Sequence, residues 1–98
     1  MADKQPADKV PIHERFTWVM DQNVPANQRM VHHMRDDNRT DWAAKIEWIT
    51  PDALPIGTPL HFTLFLKPGI HGVVRYTTPL GTQRVLVVHV ERITTKMQ

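Results

Sequence analysis

Hydrophobic and polar residues alternate most regularly in the second half of the chain. In Leu60 to Leu66, LHFTLFL, Leu60, Phe62, Leu64 and Leu66 fall on one side, with His61, Thr63 and Phe65 on the other. That period of two predicts a half-buried antiparallel strand. Pro68-Gly69 supplies a turn, and a second strand is predicted over Ile70 to Thr77. There Ile70, Gly72, Val74 and Tyr76 alternate against His71, Val73, Arg75 and Thr77. Gly72 marks a bulge or a place where another backbone comes close. Thr78-Pro79-Leu80-Gly81 reads as a type I turn with a left-handed glycine at its end. Arg84 to Ile93 follows as the longest strand. Val85 to Val88 and Val90 put apolar groups on both of its faces, which predicts a strand centre covered on both sides.

The first half is less regular. Phe16, Trp18 and Met20 alternate with Thr17 and Val19, which suits a strand over 15–20 with a partly apolar outer face. Between Pro25 and Asp37, Ala26, Met30 and Met34 recur every four residues, the spacing of one helical face, and Pro25 suits a first helical turn. Met30 to Met34 also reads as a strand, with Val31 and His33 on one side and Met30, His32 and Met34 on the other. A short helix or an irregular connection is the preferred reading. Trp42 to Thr50, WAAKIEWIT, is read as a strand that puts Trp42, Ala44, Ile46 and Trp48 on one face. Pro51 favours this by pushing Thr50 to extended geometry. Pro51, Pro55, Gly57 and Pro59 make 51–59 an irregular connection.

These elements predict an all-β domain with room for one short helix. Its form is a small antiparallel barrel or a strongly curved sheet of five to six strands. Closure would remove exposed edges. Ninety-eight residues are enough for one core that buries about two thirds of the unfolded surface. We therefore expect a mobile lead-in over 1–11 and a single β domain over 12–98.

Composition narrows the chemistry. The chain has no cysteine, which excludes disulfides, thiolate metal sites and Cys nucleophiles and points to a reducing, cytoplasmic setting. It also lacks serine, which leaves little material for nucleophilic catalysis. The opening residues have no apolar signal segment, and Val85 to Val88 is the longest apolar run, so no membrane association is expected. The formal charge is only +2, although residues 51–98 carry five basic against two acidic side chains. Adjacent His32 and His33 point in different directions on a strand and lie about 100° apart on a helix. No HExxH, His-x-His, Walker A or GxGxxG pattern is present. Neither a metal, a cofactor nor a catalytic residue is assigned, and the chain is read as a non-enzyme.

Residues 55–66, PIGTPLHFTLFL, resemble the proline, glycine and alternating-strand stretch of PilZ-type cyclic-dinucleotide receptors. Arg35 and Arg39 share that family's Arg-x-x-x-Arg spacing. The ligand-binding Asp/Asn-x-Ser-x-x-Gly segment of PilZ domains has no match in Trp48 to Gly57, WITPDALPIG, which contains no serine. Strand count and length also resemble OB-fold proteins, a likeness of fold that carries no function.

The resulting expectation is a β-domain that binds a protein partner or associates with itself through an outward apolar surface at Phe65, Val73 and Val85. The alternative is a barrel that binds single-stranded nucleic acid, with Tyr76 stacking on bases and Lys67, Arg75, Arg84 and Arg92 contacting phosphates. A distant third is a His-dependent metal-binding protein or enzyme, which would require His13, His61, His71 or His89 to converge with the paired histidines.

Overall fold

A computed structural model describes residues 13–35, 43–65 and 71–93. The lead-in, Arg39, Trp42, Leu66, Lys67, the Pro68-Gly69 turn and Ile70 lie outside the described residues. Six strands follow in chain order: β1 (His13–Val19), β2 (Gln28–Arg35), β3 (Ala43–Thr50), β4 (Pro59–Phe65), β5 (His71–Thr77) and β6 (Gln83–Ile93). They form one antiparallel sheet in the spatial order β1-β4-β5-β6-β3-β2. The sheet curls into a half-barrel. No helix occurs among the described residues, so none there is long and apolar enough to cross a membrane.

The period of two places the core on the concave face. Leu60, Phe62 and Leu64 of β4, Val74 and Tyr76 of β5, Val88 and Val90 of β6, and Ala44, Ile46 and Trp48 of β3 are all buried there. Gly72 is required by this packing. A Cβ at that position would stand 2.7 Å from the Thr63 carbonyl oxygen and 2.8 Å from Leu64 Cδ2, closer than either neighbour allows. Phe16 and Trp18 also turn inward and pack against the core, while exposed Val19 leaves the outer face of β1 partly apolar, as the alternation implies.

Residues 28–35 are a strand, not the short helix or irregular connection preferred from sequence. Met30, His32 and Met34 point into the core, as the alternating reading of the same residues requires. The spacing of four is compatible with both periods. Pairing with β3, from Gln28 opposite Thr50 to Arg35 opposite Ala43, settles the choice. Asn27, at φ 63°, makes the left-handed turn into the strand, a conformation that Asn tolerates better than most residues.

β1 and β2 end the sheet and are not hydrogen-bonded to each other. Curling nonetheless brings their side chains together, with the Trp18 and His32 rings 5.1 Å apart, edge to face. The sheet is therefore strongly curved without closing into a hydrogen-bonded barrel. At one end of the trough two connections are zipped together: Val24 and Leu54 exchange backbone hydrogen bonds of 2.9 and 2.8 Å, and Met20 N donates to Thr58 O at 2.9 Å. This buries Met20, Val24 and Leu54. The β5–β6 turn forms where predicted. Gly81 N donates to Thr78 O at 2.9 Å, and Gly81 has φ +91°.

Candidate functional site

The concave side carries two ionic clasps. At one end of the trough the Arg92 guanidinium donates to Glu14 Oε1 at 2.5 Å, which ties the end of β6 to the start of β1. At the other end Asp52 accepts from the Tyr76 hydroxyl at 2.6 Å, from Arg84 Nε at 3.1 Å and from Arg84 Nη2 at 3.2 Å. Thr50 Oγ1 donates to the Asp52 carbonyl at 2.8 Å and accepts from Asp52 N at 3.2 Å. The Tyr76 hydrogen bond and the Arg84 guanidinium hold the Asp52 carboxyl below its ordinary value against the opposing effect of desolvation. Burial, followed by the hydrogen bond to Asp52, pushes the Tyr76 phenol up to about 12. At neutral pH the pair is a carboxylate with its oxygens occupied and a protonated phenol. Chemically the cluster is suited to holding strand ends rather than to moving protons.

His32 sits deeper. It is 2% exposed and is packed against Trp18, Trp48 and Phe62, with ring separations of 5.1, 6.1 and 5.0 Å. Neither ring nitrogen, nor Trp48 Nε1, has a hydrogen-bond partner among the described residues. Desolvation, helped by the charge of His33, lowers the His32 pKa from 6.5 to about 4, so the ring is neutral at pH 7.

The convex face is built differently. Two adjacent rows of side chains cross β1, β4, β5 and β6: Arg15-Thr63-Val73-Val87 and Thr17-His61-Arg75-Val85. Each row starts cationic or hydroxyl-bearing on β1 and β4 and ends apolar on β6. Val85 is 61% and Val87 76% exposed. The sequence reading of a β6 centre covered on both sides is thereby corrected: the core takes Val88 and Val90, while nothing among the described residues covers Val85 and Val87. Ile49 of β3 adds a further exposed apolar side chain. The next row holds Phe65, His71, His89 and Glu47 in register. Phe65 is half-buried against His71, with ring centroids 5.1 Å apart.

The structure thus puts Phe65, Val73 and Val85, taken together as a partner surface from the sequence, on one face within three neighbouring rows. It does not unite the nucleic-acid set. Arg75 is exposed on the convex face, whereas Tyr76, at 2% exposure, is in the core and cannot stack on a base. Arg84 and Arg92 lie on the concave side, each paired with a carboxylate. Strand alternation dictates this split, because neighbouring residues such as Arg75 and Tyr76 point to opposite faces. His61, His71 and His89 are on the convex face, and no group of three or more metal-ligating side chains is arranged to hold an ion among the described residues. Sequence reasoning named Val87 only as an alternative to Val85, and it missed Arg15 and the Asp52 clasp. Arg15 follows from alternation once the register is known, but no local signal marks Asp52, which meets Arg84 across 32 residues.

No protein-family model, curated protein or solved structure matches this chain.

Proposed function

We propose that the chain is a non-catalytic protein-binding module whose convex face receives an apolar segment of a protein partner. The observation that carries this reading is the exposure of Val85 and Val87 beside half-buried Val73 and Phe65. Water-exposed β-branched side chains in adjacent rows lose hydration when covered, by about 1.5–3 kcal/mol for each fully buried side chain. Curvature argues for a partner rather than a second copy. Two convex faces meet along a narrow strip, whereas an extended or concave partner follows the curve. The nucleic-acid alternative draws less support, since Arg84 and Arg92 are neutralised on the other side. The lack of cysteine suits a reducing, cytoplasmic setting.

The test is site-specific photo-crosslinking from position 87 in cells that express the protein, with position 29, on the convex side of β2, as control. One discrete protein adduct from 87, lost when Val85→Lys is added, is the expected outcome. Its absence, or an adduct to nucleic acid, overturns the reading. Sedimentation of the purified chain identifies any adduct that is a second copy.

A further inference from the structure

Two shallow depressions on the convex face share His61 and Arg75. One, of about 310 Å³, is also lined by Arg15, Thr17 and Thr63. The other, of about 420 Å³, continues to Thr77 and Gln83. His61 and Arg75 are directly opposite on neighbouring strands. Arg15 joins them diagonally, because its partner Thr63 is two residues from His61. No Asp or Glu among the described residues lines either depression. Three arginines elsewhere pair with carboxylates, Arg29 with Glu47, Arg84 with Asp52 and Arg92 with Glu14; Arg35 does not among the described residues. Arg15 and Arg75 have no such partner among the described residues. Glu14, although adjacent to Arg15 in the chain, is turned to the concave side and held by Arg92.

We propose that Arg15, His61 and Arg75 form a binding site for a single phosphate-class oxyanion, either free or as the terminal phosphoryl group of a small ligand. Each guanidinium presents a planar fork of N–H donors that matches two oxygens of a tetrahedral anion. The Thr17 and Thr63 hydroxyls add donors from the same wall. Thr17 Oγ1 lies 3.4 Å from His61 Nδ1, which leaves Nε2 to face the anion. A bound dianion gives the Arg15 and Arg75 guanidiniums a shared partner of opposite charge. The cluster is also bounded. Along both rows the side chains give way to Val73, Val85 and Val87, so no continuous cationic track for a polyanion runs along them among the described residues. The site is separable from the protein-binding reading, because Arg15, Thr17, His61 and Thr63 lie on β1 and β4 and only Arg75, opposite Val85, borders the partner surface.

The experiment is a ¹⁵N-resolved NMR titration of the full chain with inorganic phosphate at pH 7, with chloride holding ionic strength constant. Saturable shifts centred on Arg15, Thr17, His61, Thr63 and Arg75, with a millimolar midpoint, are expected. Arg75→Gln weakens binding by about tenfold or more, in line with loss of a charged hydrogen-bonding partner, while Arg29→Gln leaves it unchanged; the spectrum of each variant reports whether the fold is intact. Parallel titrations with O-phosphoserine separate the two sources: tighter binding than inorganic phosphate assigns the site to an ester ligand, and equal or weaker binding to the free anion. Linear, non-saturating shifts overturn the proposal, as does equal weakening by Arg29→Gln. A ten-nucleotide thymidine oligomer that binds while phosphate does not also overturns it, in favour of a nucleic-acid surface. Val87→Asn, which removes the apolar side chain from the partner face without adding charge, leaves phosphate binding intact, so the two readings fail separately.

Discussion

Two single positions carry much of the packing constraint. Gly72 lies where β4 and β5 pair, and a methyl group there would overlap the Thr63 carbonyl and Leu64. The Thr63 carbonyl belongs to a paired strand and has little room to yield. Gly72→Ala is therefore expected to cost about 1–3 kcal/mol, as overpacking does, read as a lower urea midpoint. An unchanged midpoint would show that the strands separate there without penalty. His32 imposes a pH dependence. Its folded pKa of about 4 lies below the ordinary 6.5, so between those values the unfolded chain binds the proton and the folded chain does not. Stability from this group is complete above pH 6.5 and declines as pH falls toward 4, by about 3 kcal/mol in all. His32→Phe keeps an aromatic ring against Trp18, Trp48 and Phe62 and removes the titration. It should flatten the loss of stability between pH 7 and pH 5 measured by urea denaturation. If the variant keeps the parent's acid slope, His32 is not its source.

At the scale of elements, the order β1-β4-β5-β6-β3-β2 leaves β1 and β2 with one hydrogen-bonded neighbour each. Side chains join them across the seam, through Trp18 and His32, and backbone does not. Hydrogen exchange should therefore divide the sheet. Amides of β4, β5 and β6 that bond within the sheet should be the most protected, and those of β1 and β2 that face away from their neighbours should exchange at least about tenfold faster. Equal protection of β1 and β2 would mean that the edges pair and the half-barrel closes. The strands themselves differed in how plainly the chain announced them. β4 and β5 alternate without ambiguity, and Leu60, Phe62, Leu64, Val74 and Tyr76 are buried as the pattern implies. β2 was obscured because Met30 and Met34 satisfy a period of four as well as a period of two, and only the neighbouring β3 distinguishes them.

On the scale of the whole molecule, curvature sorts the side chains into two chemistries. The concave side uses its charges internally: Glu14 with Arg92, and Asp52 with Tyr76 and Arg84. Among the described residues, the convex side leaves Val85 and Val87 uncovered and Arg15 and Arg75 without carboxylates, and both proposals rest on that face. Phe65, Val73 and Val85 were legible as outward residues because alternation alone assigns a side. Arg84 and Arg92, grouped from sequence as phosphate contacts, pair with Asp52 and Glu14 instead, which their positions in β6 do not reveal.

The amino-acid sequence by itself determined the all-β class, the inward sets of β3 to β5 and the turn at Thr78 to Gly81. These depend on local geometry: a side-chain period of two, the fixed φ of proline and the left-handed freedom of glycine. Only the tertiary structure decided that 28–35 is a strand, that the sheet stops short of closure, and that Arg15, His61 and Arg75 meet on one face. Those outcomes depend on which strands become neighbours and in what register, and partners separated by tens of residues leave no mark on the local pattern.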